Sequence, residues 1–218
     1  MKAVKKIIEI DRLSIRPYLT LKNLFIFGFL SLFYIFISKN PMSALSMSVM
    51  FSLLFSSYPF LVGENSGIDG LYRVLGIRSG DVVLGRYLSA VFITVKATLV
   101  GGCFVLLSAS LFPTEEMFFT IAVYGAVSFF LSTLMIGIQY PFYFKFGYLK
   151  AKSMIVYPFL GVGILSFALI RMREKIEPLI SWMGGNLLLL IFLLLIFWLG
   201  MLLFSFALSK KWYGQREF

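Results

Sequence analysis

The sequence has 218 residues, of which 60% are hydrophobic and only 14% are charged, and this composition excludes a soluble globular domain. It contains no histidine and a single cysteine, Cys103, so an intrachain disulfide and a cysteine-based metal site are both excluded. The formal net charge of +10 comes from basic residues at the ends of apolar runs, which indicates membrane topology rather than nucleic-acid binding.

The apolar runs predict an all-α, polytopic membrane protein. Since one crossing takes roughly 20 apolar residues, the length accommodates about six transmembrane helices and little else. The predicted spans are, in chain order, residues 24–37, 42–62, 82–112, 117–139, 154–170 and 186–208. The chain is therefore predicted to be one transmembrane domain over residues 1–218.

Three predicted segments lie outside the spans. Residues 1–22 are basic, with apolar positions at rough helical spacing, which is typical of an interfacial segment before the first span. Residues 63–81 form a polar loop between spans two and three, and residues 209–218 form a basic tail. Most of the lysines and arginines fall on the side of these segments, so both termini and the loop are predicted to be cytoplasmic.

The loop between spans two and three carries the pattern of a short amphipathic helix. Four apolar residues occur at i, i+3, i+4 and i+7: Ile68, Leu71, Tyr72 and Leu75. Gly76 is expected to end the helix, and Ser66 or Asp69 to cap its start. An apolar helix face with nearby arginines suits either the lipid headgroup region or a groove on a partner protein.

Lys96 is the only charged residue well inside a predicted span. It lies about nine residues beyond Tyr87, hence roughly 13 Å into the membrane at 1.5 Å per residue. A charge at that depth is costly, so two interpretations remain open. Either the long side chain snorkels to the cytoplasmic surface, or it forms part of a path that attracts the acidic groups of a substrate.

Motifs for enzymatic chemistry are missing from the sequence. The phosphate-loop pattern G-x-x-x-x-G-K-[ST] does not occur, and neither do the residues of a Ser-His-Asp triad or of a zinc protease. The sequence therefore predicts a protein that is not an enzyme, with no catalytic residues, no metal ligands and no cofactor of its own.

Two stretches of the sequence resemble the ABC-2 type transporter permeases. The loop has Glu64-Asn65 followed by Arg86-Tyr87-Leu88, which is similar to the family's loop. The tail is similar to a basic ending found in small six-span members: Ser209, Lys211, Tyr213, Arg216, Glu217 and Phe218. More narrowly, the sequence looks like permease subunits of the staphylococcal phenol-soluble modulin exporters.

The resemblance implies a set of partners. A separate cytoplasmic ABC ATPase would bind ATP and magnesium, and would contact the loop helix through Ile68, Leu71, Tyr72, Arg73 and Leu75. A second six-span permease, identical or paralogous, would complete a path for amphipathic peptides or other hydrophobic compounds across a bacterial cytoplasmic membrane. The alternative is a non-transporting immunity, sensor or assembly subunit that binds a cytoplasmic partner through the same loop.

Overall fold

The computed structural model describes residues 2–108, 111, 116–154, 160, 164, 171 and 185–216. Within these residues the chain is helical and has no β-strand. Apart from a 3₁₀ turn at Arg16–Tyr18, the longer elements are α1 (Lys2–Ile15), α2 (Leu21–Ser38), α3 (Ser43–Ser66), α4 (Ile68–Val74), α5 (Ser79–Ser108), α6 (Met117–Phe146), α7 (Tyr148–Met154) and α8 (Leu187–Gln215).

Five of these helices are long and apolar enough to cross a membrane: α2, α3, α5, α6 and α8. They coincide with predicted spans one to four and six. Most of predicted span five, and the last two residues of the tail, lie outside the described residues, so the count of six spans stays a prediction. The segment predicted as a loop, residues 63–81, contains the end of α3 at Ser66, the whole of α4 and the start of α5 at Ser79.

The long helices pack with defined directions. α3 runs antiparallel to α5, because Gly101 near the end of α5 lies against Ala44 and Ser48, whereas Gly63 at the other end of α3 lies against Arg86. α6 runs parallel to α8, since Thr133 pairs with Trp198 and Gly137 further along contacts Ser205. The starts of α6 and α8 therefore lie at the same end of the bundle.

α1 lies along the first half of α5. Ile7 is fully buried, and a β-carbon on Gly85 would come within 2.6 Å of its Cγ2 atom, so this glycine permits the close approach of the two helices. The neighbouring turns of α1 bury Asp11 and Ile15. The N-terminal segment is thus an amphipathic helix, as its spacing predicts, and one side of it is covered by the protein.

Helix α6 contains Pro141, which has no N–H to donate to the carbonyl of Gly137 four residues earlier. The hydroxyl of Ser205 on α8 donates a hydrogen bond to that carbonyl. The same serine hydroxyl is 2.6 Å from the hydroxyl of Tyr87 on α5. In lipid, a backbone carbonyl that has lost its helical donor needs another partner. The Ser205 hydroxyl is that partner for Gly137, and its contacts join α5, α6 and α8.

Candidate functional site

Helix α4 is held between two glycines in the left-handed conformation. Gly67 and Gly76 both have φ of +66°. At the end of α4 the Gly76 amide donates to the Arg73 carbonyl and the Ile77 amide to the Tyr72 carbonyl, each at 3.0 Å. This is the Schellman arrangement, and it confirms the prediction that Gly76 ends the helix.

The start of α4 differs from the prediction. Gly67 is the N-cap residue and no side chain caps the helix, so the expectation that Ser66 or Asp69 does so was wrong. Ser66 instead belongs to the last turn of α3, where its hydroxyl donates back to the carbonyl of Val62. Asp69 is in the first turn of α4 but its carboxylate is directed into the protein, as described below.

The structure divides the predicted apolar face of α4 into two sides. Tyr72 is buried, with 3% of its surface exposed, and Ile68 is half-buried against the same core. By contrast, Leu71 is 53% exposed and Leu75 is 65% exposed. Val74, which the spacing argument omits, is 85% exposed. The exposed apolar face of α4 therefore consists of Leu71 and Val74 together with the C-cap residue Leu75.

The opposite side of α4 is fixed by a buried ion pair. The Arg86 Nη2 atom of α5 is 2.9 Å from the Asp69 Oδ1 atom, and the arginine side chain is 1% exposed. The hydroxyl of Tyr213, near the end of α8, donates to the same Asp69 oxygen at 3.1 Å. The Arg86 guanidinium also lies over the ring of Phe60 on α3, 4.4 Å from its centroid. The Asp69 carboxylate thus links α4 to α5 and α8, and its partner Arg86 also contacts α3.

A second carboxylate lies near Arg86. Asp11 on α1 is 2% exposed, and its Oδ2 atom has no hydrogen-bond partner among the described residues. Burial raises the pKa of Asp11 to about 6, and the positive charge of Arg86 opposes this rise. Burial likewise raises the pKa of Tyr72 to about 12. We call Asp11, Asp69 and Arg86, together with Tyr213, whose hydroxyl binds Asp69, the buried charge cluster.

Two further contacts fix the surroundings of α4. The Arg73 Nη2 atom donates to the Gly214 carbonyl at 2.9 Å, which holds α4 to the end of α8. Glu64, in the last turn of α3, accepts hydrogen bonds from the first two amides of α7, those of Tyr148 and Leu149. A carboxylate is favoured at a helix start, where the amides are otherwise unpaired.

The sequence predicted only part of this site. Ile68, Leu71, Tyr72 and Arg73 are on α4, and Leu75 is its C-cap residue. No spacing argument could assign Asp69 to Arg86 or to Tyr213, which are 17 and 144 positions away. The one available signal was the similarity of the loop and the tail to the same family. Arg86 and Tyr213 belong to those two motifs, and the fold brings them together.

Lys96 is not part of the buried charge cluster. It lies further along α5, exposed on the outer surface of this chain, beside a cavity of about 280 Å³ that Arg12 of α1 also lines. Among the described residues, no group of three or more His, Cys, Asp or Glu side chains is placed to hold a metal ion.

The described residues thus form a bundle with five helices long enough to cross a membrane and a short helix, α4, at one end of it. The profile of the ABC-2 family transporter proteins matches residues 6–214. The chain belongs to this family, whose members are membrane subunits that act with an ABC ATPase. No curated protein and no solved structure matches the chain.

Proposed function

We propose that this chain is the permease subunit of an ATP-driven exporter and that the exposed face of α4 is the docking surface for a separate cytoplasmic ABC ATPase. The observation that supports this most directly is the division of α4 into an exposed apolar face and a buried ionic side. Family membership supplies the class of partner. ATP and magnesium bind to that partner and not to this chain.

The exposed face of α4 has the chemistry of a helix-in-groove contact. Leu71 and Val74 lie on the seven-residue helix α4, Leu75 is its C-cap residue, and each of the three is more than half exposed. Such an apolar patch on a helix between two spans suits the apolar groove of a partner. Ile68 and Tyr72, which the sequence groups with these residues, anchor the helix from behind.

The buried charge cluster provides a way for a movement of α4 to reach the spans. Since Asp69 binds both Arg86 on α5 and Tyr213 on α8, α4 cannot shift without moving these helices or breaking a buried ion pair. Breaking such a pair is costly, because it leaves a charge uncompensated away from water. In the proposed mechanism the ATPase moves α4, and α5 and α8 follow it.

Cytoplasmic termini agree with the arrangement of the helix ends. α1 contacts the start of α5, Glu64 at the end of α3 caps α7, and α4 binds the end of α8. All of these elements therefore lie at one end of the bundle, and the proposal assigns that end to the cytoplasmic side of a bacterial membrane. The parallel course of α6 and α8 is what a further span between them requires.

For the substrate, we propose amphipathic peptides of the phenol-soluble modulin kind, moved by this chain together with a second permease. The support is the resemblance of the loop and the tail to permeases of that class. Large apolar side chains are also exposed along α2 and α8, including Phe29, Phe33, Phe197 and Phe204, and these offer surface for lipid and for a second permease.

The docking surface is tested by Leu71→Asp combined with Leu75→Asp. Burying each leucine contributes about 1–2 kcal/mol to an interface, so the double variant should bind the ATPase at least about 30-fold more weakly while α4 keeps its buried contacts. The measurement is affinity co-purification of the ATPase with the tagged chain, with membrane insertion checked by gel filtration in detergent.

The matched control is Leu149→Asp on α7, which changes a leucine of similar exposure, 60%, at the same end of the bundle. This variant should retain the ATPase. Co-purification of the ATPase with the double variant at the wild-type ratio would show that α4 is not the docking surface.

A transport assay separates the proposal from the non-transporting alternative. Permease and ATPase are reconstituted together in liposomes, and ATP hydrolysis is measured with and without an amphipathic peptide. A peptide-dependent change in ATP turnover, together with ATP-dependent peptide movement, is expected. A stable complex without peptide movement would instead indicate an immunity, sensor or assembly subunit.

A further inference from the structure

A cavity lined by two basic side chains, Arg12 and Lys96, opens on the outside of the bundle. It has a volume of about 280 Å³ and lies where α1 ends, between α1, α3 and α5. Ile15 and Leu19, on either side of the 3₁₀ turn that separates α1 from α2, both line it. The break between the two helices leaves this space beside α5.

The lining of the cavity is apolar apart from Ser89 and the charged edge. Ile15, Phe55 and Phe92 are among the apolar side chains, and the two charged side chains are Arg12 and Lys96. Among the described residues, no carboxylate lines it. Asp11, which is adjacent to Arg12 in the sequence, is buried close to Arg86 instead. The cavity is therefore complementary to a ligand with one anionic group and an apolar portion.

Arg12 and Lys96 line the same cavity, so one anionic group inside it would face both positive charges. α1 and α5 run in the same direction, since Ile7 lies beside Gly85 and the later residues Ile15 and Phe92 line the same cavity. Helical side chains lean toward the start of their own helix, so Lys96 leans back along α5 toward the end of the bundle at which α1 and α5 begin. This direction is also the one in which a lysine snorkels toward a headgroup layer.

We propose that this cavity binds an anionic phospholipid of the surrounding membrane, with the phosphate between Arg12 and Lys96 and the start of an acyl chain against Phe92 and Ile15. Basic pockets between membrane helices on the cytoplasmic side commonly hold anionic headgroups.

The lipid site accounts for Lys96 without placing it in the substrate path that the sequence suggests. Both Lys96 and Phe92 are exposed on the outer surface of this chain, where lipid is the solvent. The proposal depends on the cavity and its charges, and it does not require ATP-driven export.

The test uses the purified full chain in a neutral detergent, titrated with phosphatidylglycerol or with phosphatidylcholine, with bound lipid counted by native mass spectrometry. Phosphatidylglycerol should bind and phosphatidylcholine should bind at least tenfold more weakly. Each cation near an anionic lipid strengthens binding about fivefold, so Arg12→Gln and Lys96→Gln should each weaken it by that factor, and the double variant by about 25-fold.

Three controls define the site. Lys150→Gln removes an equal charge from an exposed position on α7 and should leave lipid binding unchanged. Lys96→Arg keeps the charge and should retain binding, which separates charge loss from misfolding. Phe92→Ser should weaken binding of the full lipid while leaving the charges in place.

Several outcomes would overturn the proposal. Equal binding of the two lipids would show that the cations do not select the headgroup. Displacement of the lipid by inorganic phosphate or by glycerophosphoglycerol at the same concentration would show that a free anion, and not a lipid, is the ligand. Displacement by an acidic amphipathic peptide at lower concentration would return Lys96 to the substrate path.

Discussion

The ion pair between Arg86 and Asp69 can be tested by removing one charge at a time. In Arg86→Met, two buried carboxylates, those of Asp69 and Asp11, lose the arginine that faces them. Removing one partner of a buried pair costs about 3–5 kcal/mol. For a chain of this size, about 1 kcal/mol lowers the melting temperature by about 2–4 °C, so a decrease of about 10 °C is expected.

The double variant Arg86→Met with Asp69→Asn distinguishes an ion pair from simple loss of packing. Because the second change removes the uncompensated carboxylate, the double variant should recover part of the loss, with a coupling of about 1–3 kcal/mol. Tryptophan fluorescence during heating in detergent gives the melting temperatures. Arg78→Met is the control, since Arg78 is exposed and its loss should change the melting temperature little.

The reasoning would be refuted by either of two results. A decrease of less than about 2 °C in Arg86→Met would mean that the pair does not stabilise the fold as a buried pair does. A double variant that loses the full sum of the two single losses would mean that Arg86 and Asp69 act independently, and the link between α4 and α5 would then be absent.

Three further predictions follow from individual contacts. Because burial raises the pKa of Asp11 to about 6 from 3.8, the folded state binds a proton that the unfolded state has lost, so stability falls as the pH rises from 4 to 6. Asp11→Asn should remove this pH dependence and raise the free energy of unfolding by up to about 3 kcal/mol at pH 7.5. The measurement is the melting temperature as a function of pH, and an unchanged slope would contradict the prediction. Gly76→Ala places a residue with a β-carbon at φ +66°, which costs about 1–2 kcal/mol, so recovery of the ATPase in co-purification should decrease. Full recovery would show that docking does not depend on the glycine that ends α4. Ser205→Ala leaves the Gly137 carbonyl without its side-chain donor and should lower the melting temperature by about 2–6 °C, with Ser153→Ala on α7 as the control.

Local chemistry determined the helices of this protein. Runs of apolar residues long enough to cross a membrane are found as α2, α3, α5, α6 and α8, because in lipid every backbone amide must be paired within its own segment. The end of α4 at Gly76 followed from the sequence for a similar reason. A glycine at φ +66° turns the chain so that its own amide and the next one donate to the last carbonyls of the helix.

The sequence could not determine which side of α4 faces the protein. The helical spacing of apolar residues in α4 predicts that the helix has an apolar face. In a chain that is 60% hydrophobic, however, a buried surface, a lipid-facing surface and a docking surface are all apolar, so the pattern does not distinguish them. Only the tertiary structure directs Tyr72 inward and leaves Leu71 and Leu75 exposed, because it supplies Arg86 and Tyr213 as partners for Asp69. Those partners come from distant parts of the chain, and a charge pair between them becomes visible only when folding excludes water from around it.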